Sequence, residues 1–404
     1  MSPKRALPHI VVAAFTCVVV TGVVVRQNVE RDWRAMLTTL EELRAERLGR
    51  SDVREALHGA TSDDRAWPHY ERALAALRSV EVTNDRSHAA ARARTEAERE
   101  ERDALLADVD AMFAHLTRGA QARDARSPVR FEDGASADIQ RLAEIRWTSE
   151  LSVARAMQML ESGDELGAVH AMLDAQQLAR DLCVSPVLIE EMIGLSQLVP
   201  EATVEWLADG GANDMSASSL GVWLDGLDAL RAGLPDGSRA MVGEVEMFGR
   251  EITRQVEASG RLEWKGFLDD PSLWRYGFTW RGAAADYVIR GADFAREVER
   301  AYVGEPMRVL ERLGALEQEA ESDLNPIYKV AVPEISSAGR SRIWNLARLD
   351  FLRHALALRL ARPSDLPVDP FGFGVEVEHD GAGIRVWAKA HERRQHEIEI
   401  NLGA

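Results

Sequence analysis

The chain has 404 residues, 46% of them hydrophobic, with 49 Lys and Arg against 66 Asp and Glu and a formal net charge of −17. That apolar content excludes an intrinsically disordered chain, and the acidic balance excludes a nucleic-acid partner, which needs a basic face. The only cysteines, Cys17 and Cys183, lie far apart, which excludes a disulfide framework.

Behind Lys4 and Arg5, residues 7–25 form an uncharged, valine-rich run ending at Arg26. As a helix it is roughly 28 Å long, enough for the hydrocarbon core of a bilayer. Three readings fit this leader: a single-pass signal anchor, a cleaved signal peptide and a buried core helix. The anchor is favoured. Val20-Thr21-Gly22 is the only passable cleavage site, and more valines follow it where a polar segment is expected. Positive charge is kept in the cytoplasm. Lys4 and Arg5 therefore place residues 1–6 inside and the remainder in the periplasm, attached to the cytoplasmic membrane through residues 7–25.

Val29, Trp33, Met36, Leu40 and Leu43 are spaced by four and three, the seam of an amphipathic helix. It lasts about two heptads, so it is expected to pack on the protein's own body rather than form a dimer zipper. From Thr83 to Ala104 there is no large apolar residue, which predicts a solvated helix or mobile charged connector. Apolar residues from Ile139 to Leu160 and from Leu166 to Leu182 recur at helical spacing around Gly163-Asp164. This predicts a hairpin with a glycine C-cap and an aspartate N-cap. A third helix starts near Pro186, Pro200 restarts it, and residues 209–214 form a loop. Helices follow over 219–231, through 247–256, up to 316, and from 343 to 360. After Arg362 the apolar period becomes two, at Val375 and Val377, Ile384 and Val386, and Ile398 to Leu402, which predicts a small antiparallel meander.

The predicted fold is thus mostly α: an N-terminal transmembrane helix, a multi-helix body with a TPR-like hairpin, and a C-terminal antiparallel β-meander. The predicted divisions are 1–6 cytoplasmic, 7–25 anchor, 26–105 membrane-proximal helices and connector, 106–362 helical domain, and 363–404 meander.

No catalytic constellation stands out. Glu55-x-x-His58 has a di-iron spacing but lacks the second motif such bundles need. In His391 to His396 the histidines are five apart, whereas a zinc-protease helix needs four. Glu376 and His379 would lie on opposite faces of a strand. No metal or cofactor is therefore predicted. Cys183, between Leu182 and Val184, reads as a buried inert thiol, and Glu190-Glu191 as a solvent-facing pair beside Glu201 and Glu205. Residues 264–294 are rich in aromatics. Such clusters mostly form core; as a surface, Trp264, Trp274 and Trp280 would be the ligand-binding residues.

Ala154, Leu160, Gly163-Asp164 and Ala168 are similar to a tetratricopeptide unit, but no 34-residue period repeats and a generic hairpin fits better. Leu366-Pro367-Val368-Asp369-Pro370-Phe371-Gly372, leading to a glycine-turned hairpin, resembles the head of the major type II secretion pseudopilin. The pilin processing signal is absent, so no pilin site residue is carried over. The wider arrangement of Ala66-Trp67-Pro68-His69-Tyr70, Gly163-Asp164, Asn325-Pro326 and Asp369-Pro370-Phe371-Gly372 resembles an uncharacterised family of single-pass, mostly helical bacterial envelope proteins. That resemblance implies location and architecture but no activity. The expected function is a membrane-anchored, non-catalytic envelope protein that binds a protein partner as a scaffold or accessory subunit. Two alternatives stay open. One is an extracytoplasmic enzyme or ligand-binding protein, with a cleft built from the 264–294 aromatics and Asp269, Asp270, Asp286 and Asp293. The other is an accessory component of a pseudopilus-like secretion assembly.

Overall fold

The computed structural model describes residues 3–49, 62–126, 142–213, 215–259, 280–323, 334–365, 375–379, 384–388 and 398–402, together with 129, 325, 327, 328 and 367. Within these, the side chains of 3–23, 62–64, 379, 387–388, 398–399 and 401 are not described. Most of the described chain is helical.

A single long helix, α1 (Pro3–Gly49), carries both the leader and the seam. Trp33, Met36, Leu40 and Leu43 are all buried, against α11 (Ala240–Ser259) and α12 (Trp280–Ala301). The two-heptad seam therefore packs on the chain's own body. Each such side chain contributes roughly 1.5–3 kcal/mol when removed from water. The flanks are tied by ion pairs from Arg47 to Glu246 (2.6 Å) and from Arg296 to Glu46 (3.1 Å). Among the described residues no helix is long and apolar enough to cross a membrane; the side chains of residues 7–23 of the leader lie outside them.

Helices α2 (Ala66–Ser79) and α5 (Asp110–Gln121) pair, and a short parallel ladder joins β1 (Ser62–Arg65) to β2 (Ala122–Asp124). Nothing in the polar Ser62-Asp63-Asp64-Arg65 predicts a strand. The stretch expected to be a solvated helix or mobile charged connector forms two helices, α3 (Asn84–Ala91) and α4 (Glu96–Asp108); residues 94–101 are solvent-exposed as expected, whereas α3 and the end of α4 dock on the body. Thr83 caps the first, and a Thr95–Glu98 capping box starts the second. The face lacks large apolar residues because it approaches closely. Ala90, Ala91 and Ala93 are buried, Ser87 donates to Glu150 (2.6 Å), and Arg102 reaches inward to Glu161. Small side chains at a helix crossing give a weak hydrophobic pattern, which is why the sequence reading missed the contact.

The predicted hairpin is α6 (Leu142–Glu161) and α7 (Glu165–Cys183). Gly163 takes φ +84°, a left-handed conformation that glycine tolerates, and the Asp164 carboxylate accepts from the Gly167 N–H at 2.9 Å. Next come α8 (Leu188–Leu198), α9 (Glu201–Ala208) restarting after Pro200, and α10 (Ala217–Ala232). Beyond α12 follow α13 (Pro306–Ser322), with Pro306 in its first turn, and α14 (Ile335–Arg359). The last begins eight residues before the predicted start at 343, because Ile335, Ala338 and Gly339 pack on α13 and Tyr302.

The meander forms as expected: β3 (Val375–His379), β4 (Ile384–Ala388) and β5 (Ile398–Leu402) pair antiparallel in that order. Its register aligns Val377, Val386 and Ile400, and the last two are fully buried toward α14. The Leu366–Gly372 motif lies outside the described residues apart from Pro367, as do the turn residues 380–383.

Three large clusters make up the core. One joins α2, α4 and α5 to α6 and α7; another joins α7, α9, α10, α14 and the meander; the third joins α1, α11, α12 and α13. Helix α8 contributes to all of them, with Leu188 in the third, Leu195 and Leu198 in the second, and Ile193 against the first. The turn leading into it approaches α11 closely, since a Cβ on Gly243 would overlap the Pro186 carbonyl. Gly243→Ala is expected to lower stability by about 1–3 kcal/mol through overpacking, read as a shift in denaturation midpoint. An unchanged midpoint would mean that α11 and the Pro186 turn do not meet there.

Candidate functional site

A cavity of about 350 Å³ opens between α5, α6 and α7. Phe113, Leu116, Met159 and Ala171 supply apolar walls, and Thr117, Arg155, His170 and Asp174 converge on it. His170 and Asp174 are four apart on α7 and so share a face. Asp174 is buried and accepts from the Thr117 hydroxyl at 2.5 Å. Arg155 lies over the Phe113 ring, 5.5 Å from its centroid, and its guanidinium reaches Gln158 (2.8 Å) and Asp110 (3.5 Å). Its Nε is buried and has no acceptor among the described residues. An apolar cleft with a few fixed polar groups suits a ligand or a peptide side chain. Sequence reasoning did not single it out, because its residues come from three helices and each alone looks like ordinary amphipathic spacing.

A second polar centre is buried where α8, α11 and α14 meet. Here the reading of Glu190-Glu191 as solvent-facing is overturned: Glu190 is 8% and Glu191 2% exposed. Glu191 is paired with Arg342 at 2.5 Å and accepts from the Ser238 hydroxyl at 2.5 Å. Arg342 also donates to the Pro235 carbonyl at 2.5 Å. Burial pushes the Glu191 carboxyl up, while Arg342 and Ser238 pull it back. Glu190 accepts from the Ser185 hydroxyl. The sequence shows two acids at the start of a helix; only the fold places α14 and the 235–238 turn over them. Glu201 is exposed, and Glu205 pairs with Arg92.

Nearby, the Cys183 thiol is fully buried, which pushes it up and keeps it protonated and unreactive, as its apolar neighbours suggested. Asp181 accepts from the Tyr70 hydroxyl (2.7 Å) and Gln177 (2.8 Å), and Trp67 Nε1 donates to the Ala125 carbonyl (2.8 Å). The Ala66–Tyr70 motif thus ties α2 to the residue that follows β2 and to α7.

Of the sequence-predicted binding tryptophans, Trp264 and Trp274 lie outside the described residues, as do Asp269 and Asp270. Trp280 opens α12, 8% exposed and packed in the core around α1. Tyr287 and Phe294 meet Tyr328 edge-on at 5.6 and 5.7 Å. Asp286 is held by Arg290 (2.9 Å) and Asn325 (2.9 Å), and Asp293 by Arg296 (3.3 Å). Among the described residues no group of three or more His, Cys, Asp or Glu could hold a metal. Glu55, His58 and the 391–396 stretch lie outside them, and Glu376 is exposed on β3. Compared with known protein families, curated proteins and solved structures, the chain matches none.

Proposed function

We propose that this chain is a membrane-tethered, non-catalytic helical protein of the bacterial envelope that holds a protein partner on its extracytoplasmic body. One observation carries the reading: α1 is continuous from Pro3 to Gly49. The valine-rich leader and the docked Trp33–Leu43 seam therefore belong to one helix, about 70 Å long at 1.5 Å per residue. A leader of this composition is long enough to span a bilayer, and its helix runs without a break into the core. The body is then fixed to the membrane by a rigid strut rather than a flexible linker. The α5–α6–α7 cleft is the surface offered to the partner, with room for an apolar side chain against Phe113 and Met159 and an acceptor for Arg155.

Membrane fractionation with protease digestion of sealed cells and spheroplasts tests the tether. The full-length protein is expected to resist alkaline extraction from membranes, and its body to be cleaved only in spheroplasts. A photo-crosslinker at Met159 is expected to give one discrete adduct, and one at the exposed Glu100 of α4 none. Freely soluble mature protein lacking its first two dozen residues would end the tether; identical adduct patterns from both positions would end the cleft assignment.

A further inference from the structure

Glu244 of α11 is 8% exposed, and among the described residues no cation pairs with it. Its Oε1 accepts from the N–H of Leu188, the first residue of α8, at 2.7 Å. The groups packed around this point come from several helices. From α8 come Glu190, held by Ser185, and Glu191, committed to Arg342 of α14. From α12 come the buried Tyr287 and Glu299, which accepts from the Val242 N–H. The charged groups that α1 turns toward α11 are occupied elsewhere, Arg47 with Glu246 and Glu41 with Arg250. Glu244 thus caps α8 from outside, away from water, with another buried carboxyl beside it.

We propose that Glu244 is a proton-operated latch between α8 and α11, closed when its carboxyl carries a proton and loosened when the proton leaves. The protonated group still offers its carbonyl oxygen to Leu188. The ionised group must be hydrated, and it repels Glu190; both act against the close approach of Gly243 and Pro186. Because α8 also feeds the other cores, the latch couples the half carrying α1 to the rest of the body. Burial, then Glu190, push Glu244 from its ordinary 4.5 up to about 7, against the opposing Leu188 hydrogen bond. A group raised on folding favours the closed form fully below 4.5, and this advantage is lost as pH rises through about 7. The inference goes beyond the partner-binding reading and does not rest on it.

Amide hydrogen exchange of the full-length protein in detergent, corrected for intrinsic base catalysis, tests the latch. Opening at residues 188–191 and 240–247 is expected to rise roughly tenfold between about pH 6 and pH 8. In Glu244→Gln, whose amide oxygen can still accept from Leu188, exchange at these positions should not change with pH. In Glu190→Gln, removal of the neighbouring charge should move the midpoint to lower pH. The proposal is overturned if Glu244→Gln keeps the wild-type pH dependence, if the wild type shows none, or if the Glu190→Gln midpoint rises. Circular dichroism of each variant checks that it is folded.

Discussion

Arg342→Met is expected to lower the unfolding free energy by about 3–5 kcal/mol, read from chemical denaturation. Arg342 and Glu191 are 3% and 2% exposed, so removing the guanidinium strands a carboxylate in the interior. The loss extends to the Pro235 carbonyl, whose donor disappears. Ser238 alone cannot offset the charge, although it still donates to Glu191. The double variant Glu191→Leu, Arg342→Met removes both charges and is expected to recover most of the deficit, because two buried ions must be desolvated to form the pair. A single-variant loss below about 1 kcal/mol would mean that water reaches the pair, contrary to the burial found here. The double-mutant cycle separates the coupling of the pair from the packing of Arg342's stem.

Trp223→Ala is expected to cost about 3–5 kcal/mol and to lower the near-ultraviolet dichroism of the aromatic cluster. Trp223 is completely buried in α10. Its ring lies 6.1 Å from that of Trp206 at an interplanar angle of 53°, and its Nε1 donates to Gln176 at 3.4 Å. Truncation removes this contact area and opens a void among α7, α9, α10 and α14, whose helical backbones limit relaxation. The hydrogen bond is long, so its loss is a minor part of the cost. Trp223→Phe keeps much of the ring and is expected to lose distinctly less. Equal losses in the two variants would assign the effect to the indole N–H instead of to packing.

How readable the elements were depended on whether their signals were local. The α6–α7 hairpin was legible because Gly163 and Asp164 act through their own backbone conformation and nearest amide hydrogens. The Trp33–Leu43 stripe and the alternation in β3 to β5 were legible for a related reason: a face that must be buried repeats at the period of its element. The α3–α4 region failed this test. Residues 94–101 are exposed, as composition suggested, but the buried faces beside them are built from alanine, serine and Arg102, which carry no apolar period to read. The candidate cleft failed it differently. Its residues come from three successive helices, Phe113 and Thr117 from α5, Arg155 from α6, and His170 and Asp174 from α7, and no spacing within one helix connects the three groups.

The helical class, the Gly163–Asp164 caps, the closing meander, the inert setting of Cys183 and the apolar leader could all be read from the amino-acid order alone. All of these follow from interactions within a few residues or from the periodicity of one face. The burial of Glu190 and Glu191, the pairing of Arg342 with Glu191, and the capping of α8 by Glu244 became visible once the helices were placed in space. The physical reason is that the free energy of an ionisable group is set by whatever surrounds it in three dimensions. For these carboxyls the surroundings arrive from α14, the 235–238 turn and α8, at separations of up to 151 residues along the chain.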